Sequence, residues 1–208
     1  MKHAIAAIGV IALLAGCASS GTNQVQADLG VDKGTVSAGA GSSVTLKGGE
    51  MPLAGWGIVE VGEPLPEAVL SSTSLQPVNI TDGGGKVRII SVVPSLDTPT
   101  CDQQTHELSE ENGGLDEQVE LITVSMDLPF AQSRFAKEAK ISNVTFLSDY
   151  KDREFGNNNG LIIEPLGLLA RAVIVTDREN IVRYLQVVPE VTALPDMQAA
   201  MQAARNLL

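Results

Sequence analysis

Val87-Arg88-Ile89-Ile90-Ser91-Val92-Val93 runs without interruption into Pro94-Ser95-Leu96-Asp97-Thr98-Pro99-Thr100-Cys101-Asp102-Gln103-Gln104-Thr105. The first seven residues are nearly all apolar and rich in β-branched side chains, the pattern of a strand covered on both faces. Threonine caps helices well and proline suits the first helical position. Thr98 as N-cap and Pro99 as N1 therefore predict a helix that carries Cys101 at N3. Asp97 as the cap shifts that register by one and still leaves Cys101 in the first turn. Unpaired backbone N–H groups and the positive end of the helix dipole favour an anion there, and so favour thiolate over thiol. Spacing alone does not separate such a residue from a small cysteine packed beneath a sheet.

Outward from this strand–helix junction the pattern repeats. Leu121 to Met126, Val144 to Leu147 and Ala172 to Thr176 are short, β-branched core strands. Asp102 to Glu111 and Ala131 to Lys140 read as helices, and Pro195 to Leu207 as a closing amphipathic helix. After the turn Asp177-Arg178-Glu179-Asn180, Ile181 to Val188 pairs back as a hairpin strand. The order is βαβ, then a hairpin, then a helix, which fits an α/β thioredoxin-like sandwich. Ahead of it, Val44-Thr45-Leu46 and Met51-Pro52-Leu53 flank Gly48-Gly49 and predict an N-terminal β-hairpin, with Pro52 confining its strand to an edge. Asn157-Asn158-Asn159-Gly160 reads as a helix exit, His106 as a helix-surface residue and Trp56 as packing.

The 208 residues are 44% apolar and 3% aromatic, so the core is aliphatic, and the formal net charge of −11 argues against nucleic acid or an anionic lipid surface as a partner. Met1-Lys2-His3 followed by the apolar run Ala4 to Leu14 is too short to span a bilayer and reads as an export signal over residues 1–16. The run ends in Leu14-Ala15-Gly16-Cys17, which resembles the lipobox of bacterial lipoproteins. By that resemblance Cys17 becomes the lipidated first residue of an exported, membrane-anchored chain. Ala18 behind it leans toward the outer membrane on the periplasmic side. Residues 17–43, dominated by Ser, Gly, Ala, Gln and Thr, are expected to be a flexible tether, and residues 44–208 the folded domain. Of the two cysteines a lipidated Cys17 is a thioether, which leaves Cys101 as the sole thiol.

The Pro94, Thr98, Cys101 spacing resembles the peroxiredoxin signature P-x-x-x-T-x-x-C. The string Pro94 to Asp102, Phe130-Ala131-Gln132-Ser133-Arg134-Phe135 and Leu169-Ala170-Arg171-Ala172-Val173 together are similar to the thiol peroxidase subfamily. The resemblance implies a thioredoxin-like fold of the peroxiredoxin type and reduction of hydroperoxides by a homodimer without metal or organic cofactor. It implies Cys101 as the peroxidatic nucleophile and Thr98 as a hydrogen-bond partner of the thiolate and of peroxide. It also implies Pro94 as a shield against water, and Arg171 as the cation that holds the thiolate.

One position departs from the family: where these proteins carry a resolving cysteine on the helix after Phe135, this chain has Ala136. A 1-Cys mechanism through a Cys101 sulfenic acid is therefore expected, with an external thiol as reductant. Two other classes compete. A disulfide oxidoreductase of the thioredoxin fold would show Cys-x-x-Cys, and residue 104 is Gln104. A lipid-anchored peroxide-sensing or binding module on an inactive scaffold is opposed by the joint presence of Pro94, Thr98, Cys101 and Arg171.

Overall fold

The computed structural model describes residues 30–82 and 85–208. The expected signal over residues 1–16, Cys17 and Ala18 lie outside them. In chain order the elements are β1 (Ser43–Leu46), β2 (Gly49–Ala54), β3 (Val69–Ser72), β4 (Pro77–Asn79), β5 (Val87–Val92), α1 (Pro99–Glu110), β6 (Val119–Ser125), α2 (Pro129–Glu138), β7 (Thr145–Ser148), α3 (Glu154–Asn159), β8 (Ile162–Ile163), β9 (Leu168–Leu169), β10 (Ala172–Thr176), β11 (Val182–Val187) and α4 (Met197–Arg205).

The main sheet has the order β11-β10-β5-β6-β7-β3-β4. β5, β6 and β7 run parallel, whereas β10 is antiparallel to β5 and β11 to β10. The βαβ unit, strand hairpin and closing helix expected of a thioredoxin-like sandwich are therefore all present. All six residues of β5 are buried, as a central strand with both faces covered requires. Pleating sends alternate residues to opposite faces. Ile89, Leu121, Val173 and Val175 pack with Leu108 of α1 and Ala200 and Met201 of α4. Ile90, Val92, Ile122, Val124 and Ile174 face the other way, onto Phe155 of α3 and onto Leu53, Ile163 and Leu169 of a small second sheet.

That second sheet has the order β1-β2-β8-β9. The hairpin β1–β2 turns through Lys47 and Gly48, both at positive φ (51° and 80°), so its tight turn lies one residue ahead of the expected Gly48-Gly49. β2 is not an edge strand: it pairs with β1 on one side and with β8 on the other. Pro52 is accommodated because the β8 ladder engages only Leu53 and Ala54, and the Pro52 carbonyl still accepts from Glu164 N at 3.0 Å. The strands β3, β4, β8 and β9 had no sequence signal, and the helix α3 was marked only by its exit. Each is short, and Glu154-Phe155-Gly156-Asn157-Asn158-Asn159 is a poor helix former by composition. Asp149 nucleates α3 from outside by accepting from Phe155 N at 3.0 Å and Gly156 N at 2.8 Å. Burial raises the Asp149 carboxyl to about 6 despite those two bonds. The helix exits at Gly160 with φ 67°, as the Asn-Asn-Gly run implied.

Two further expectations are corrected. Trp56 is not a packing residue: it is 77% exposed, with its Nε1 donating to Asn158 Oδ1 at 2.7 Å. The tether does not extend to residue 43. Asp32 N donates to Leu194 O and Val36 N to Val187 O. The Gln186 amide donates to the carbonyls of Asp32 and Gly34, and Gly39 N donates to Gly160 O. A composition poor in large apolar residues is here ordered by backbone hydrogen bonds along β11 and the following loop, which composition does not report.

Lys33, in this docked segment, pairs with Asp196 at 3.4 Å. Trypsin under native conditions should cut after Lys33 far more slowly than in a peptide of residues 30–43, and equal rates would restore the tether. A Cβ on Gly160 would meet Gly39 Cα at 2.6 Å at a left-handed φ. Gly160→Ala should therefore cost roughly 1–3 kcal/mol in urea unfolding.

Candidate active site

Thr98 caps α1, with its Oγ1 accepting from Cys101 N at 3.4 Å and Pro99 in the first turn. The local rules thus place Cys101 where expected, and burial is complete, at 0% exposure. The arrangement around the sulfur is made by the sheet. β10 pairs with β5 in the register Ala172↔Val92. The residue before β10 therefore emerges beside the end of β5, where the loop into α1 begins. That residue is Arg171, 2% exposed. Its Nη2 donates to Cys101 Sγ at 3.4 Å, its Nη1 to Gln104 Oε1 at 2.6 Å and its Nε to Val191 O at 3.0 Å.

Among the described residues no carboxylate lies within ion-pair distance of Arg171. Gln104 is a neutral acceptor, and a carbonyl is the other. The sulfur of Cys101 is thus the one ionisable group bonded to the guanidinium. A cation left in an apolar interior without a counter-charge is expensive, and the Cys101 sulfur is the group in its shell that could supply one.

Gln104 was missed at the level of sequence except as a residue that is not cysteine. It is 0% exposed, and its Nε2 donates to Ser91 Oγ on β5 at 2.7 Å, so it hangs the guanidinium from the sheet. Its signal was available: a polar residue three positions after Cys101 shares that residue's helix face. The segment holding Val191 is fixed by its neighbours. Thr192 O accepts from Thr100 Oγ1 at 3.4 Å. Glu190 accepts from Thr45 Oγ1, Lys47 N, Gly48 N, Thr192 N and Thr192 Oγ1 at 2.7–3.2 Å. Burial acts to raise the Glu190 carboxyl, but bonds from Thr192, Lys47 and Thr45 outweigh it and hold the group down at about 2.

The other expected site residues are placed less directly. Thr98 Oγ1 donates to Ser95 O at 3.2 Å rather than to sulfur, and Pro94 is buried at the end of β5 in the same loop. Ala136 lies on α2, half-buried against the apolar cluster that contains Cys101. His106 stays on the outer face of α1 beside Glu110, at 2.8 Å.

Residues 60–201 match the redoxin family model. The chain is similar to the thiol peroxidase of Halalkalibacterium halodurans, with 46% identity over 167 residues that cover 80% of this chain and 99% of the relative. The thiol peroxidase of Staphylococcus aureus shows 43% identity over 166 residues, again 80% and 99% of the two chains. Among solved structures, a peroxiredoxin-like protein from Aquifex aeolicus superposes with a TM-score of 0.74 at 40% identity, covering 80% of this chain and 97% of that one. A thiol peroxidase from Chromobacterium violaceum shares the fold, with a TM-score of 0.70 at 22% identity over 79% and 95% of the two chains. The buried Cys101–Arg171 pair therefore sits in a thioredoxin-like fold of the peroxiredoxin kind, and the chain belongs to the redoxin family, in its thiol peroxidase subfamily of oxidoreductases.

Proposed function

We propose that this thiol peroxidase reduces hydroperoxides by a 1-Cys route in which Cys101 is the nucleophile and Arg171 the residue that holds the anion. The observation that carries the proposal is the 3.4 Å contact between Arg171 Nη2 and Cys101 Sγ at a helix N-terminus, with no competing carboxylate among the described residues. The thiolate attacks one oxygen of the peroxide in line. An S–O bond forms as the O–O bond breaks, and the electron pair leaves on the second oxygen, which takes a proton and departs as water or alcohol. Arg171 stabilises that developing charge, helped by the positive end of the α1 dipole. The Thr98 hydroxyl, tied to Ser95 O in the resting state, turns from that carbonyl to donate to the substrate oxygen. Pro94 excludes water from the sulfur.

Cys101 is then a sulfenic acid. With Ala136 at the resolving position and no second thiol in residues 30–208, the next step is intermolecular. An external thiol attacks the sulfenic sulfur and releases water. A second thiol cleaves the mixed disulfide and returns Cys101. Because the sulfur is 0% exposed, the thiol gains access when the first turn of α1 opens. The Leu14-Ala15-Gly16-Cys17 string supports an exported site of action, with the domain held at the membrane through a lipid on Cys17; the resemblance to thiol peroxidases supports action as a homodimer.

One equivalent of hydrogen peroxide should yield a Cys101 sulfenic acid that a dimedone-type trap captures and mass spectrometry detects, and excess peroxide should carry it to sulfinic acid. Cys101→Ser should abolish peroxide consumption, and Arg171→Ala should slow it by roughly 100- to 1,000-fold, the scale for one transition-state donor. Ala136→Cys should introduce an internal disulfide in place of the trapped sulfenic acid. An unmodified Cys101 after peroxide refutes the proposal, and a disulfide-linked dimer replaces the 1-Cys route with an intersubunit one.

Intact mass of membrane-extracted protein should give a chain that begins at a lipid-modified Cys17. A species beginning at Met1, or a Cys17 that alkylates as a free thiol, overturns the anchor.

A further inference from the structure

Residues 94–98 bridge β5 to α1, carry Pro94 and Thr98, and set the direction in which α1 leaves the sheet. Within the bridge, Asp97 N donates to Ser95 Oγ at 3.3 Å and Thr98 Oγ1 to Ser95 O at 3.2 Å, while Thr98 accepts from Cys101 N. Among the described residues, only two hydrogen bonds join the bridge to any part of the chain beyond α1. Ser95 Oγ donates to Asp127 Oδ1 at 2.7 Å, and Leu96 N donates to Asp127 Oδ2 at 2.7 Å. Both end on one carboxylate.

That carboxylate is itself held by the sheet. Asp127 follows β6, and its Oδ2 also accepts from Ser125 Oγ at 2.8 Å, while the Ser148 hydroxyl of β7 donates to its carbonyl. Gln132, 0% exposed on α2, donates to Ser125 Oγ at 3.0 Å and to Leu147 O at 2.9 Å. A continuous line of hydrogen bonds thus runs from α2 through Ser125 and Asp127 to Ser95, and from the Ser95 carbonyl to the Thr98 hydroxyl that caps the helix at Cys101.

We infer that Asp127 is a positioning residue for the peroxide step: through Ser95 and Leu96 it holds the bridge that carries Thr98, and so orients the Thr98 hydroxyl for the peroxide oxygen. The inference rests on Cys101 and Arg171 acting as proposed above. Asparagine at 127, with its oxygen kept for Leu96 N and Ser125 Oγ, presents an N–H where Ser95 Oγ now finds an acceptor, so it breaks the line at Ser95 while conserving volume. Ser95→Ala breaks the same line from the other side without touching the sheet.

The test compares full-length parent, Asp127→Asn, Ser95→Ala and the double variant. Single-turnover oxidation of Cys101 by hydrogen peroxide is measured beside its alkylation by iodoacetamide, which needs the thiolate but not an oriented peroxide. Each single variant should lose roughly 10- to 100-fold in peroxide rate, as misplacement of about 1 Å produces. Alkylation should be kept or accelerated, and urea midpoints should stay near the parent's. The double variant should be no slower than Asp127→Asn, because both residues act through one line. Parental peroxide rates in both single variants, equal losses with both reagents, or losses that multiply in the double variant each overturn the inference. Cys101→Ser and Arg171→Ala, run alongside, separate the causes: retained peroxide reaction in those two refutes the functional proposal, whereas their loss with normal Asp127→Asn refutes only the positioning role.

Discussion

A guanidinium with 2% of its surface exposed has given up most of its water and has to find acceptors within the fold. Arg171 finds three: the Cys101 sulfur on α1, the amide oxygen of Gln104 one turn further along, and the Val191 carbonyl from the loop after β11. Each belongs to a different constraint. Gln104 is braced on β5 by Ser91, and Val191 sits in a segment tied to the β1–β2 hairpin through Glu190. Removing the arginine would leave a buried amide oxygen, a buried carbonyl and a buried sulfur facing one another. Removing any one partner would leave a buried cation short of an acceptor. The site is therefore held by mutual need rather than by one strong bond, which is why so much of the structure converges on it.

The location follows from topology. β5, β6 and β7 are parallel, so the loops into α1 and α2 gather at one end of the sheet, outside the carboxyl ends of their strands, where open α/β sheets place their ligands. The antiparallel β10 then starts at this same end, and its register against β5 delivers Arg171 there. The loop after β6 brings Asp127 to the bridge ahead of α1. Anion-favouring features are concentrated at one point: a helix N-terminus, a buried cation and an acceptor set without a carboxylate. A chain with a net charge of −11 thus keeps a pocket of opposite character at its core.

Neutrality at position 104 has a chemical meaning in this arrangement. A carboxylate there would form an ion pair with Arg171 and compete with sulfur for the guanidinium, whereas an amide oxygen orients the side chain and leaves its charge uncompensated.

The sequence by itself determined the elements whose cause is local. The β-branched run at Val87 announces a buried strand because a strand covered on both faces has no polar register. Thr98 and Pro99 announce a helix start because cap chemistry involves only the next three residues, and that alone put Cys101 in a first turn. The motif strings also identified Arg171 and its sulfur partner, though not Gln104 and Val191, which it touches as well. Short-range rules did not reach β3, β4, β8 and β9 and found only the exit of α3, since two- to six-residue elements with weak propensity depend on groups outside themselves, as α3 does on Asp149. Composition misjudged residues 30–43 because their order comes from backbone groups, which every residue carries alike. Only the tertiary structure decided that Gln104, Val191, Glu190 and Asp127 belong to the site. Their roles depend on the register of β10 against β5 and on where the loops after β6 and β11 land, and those are set by packing of the whole sheet rather than by the residues beside them.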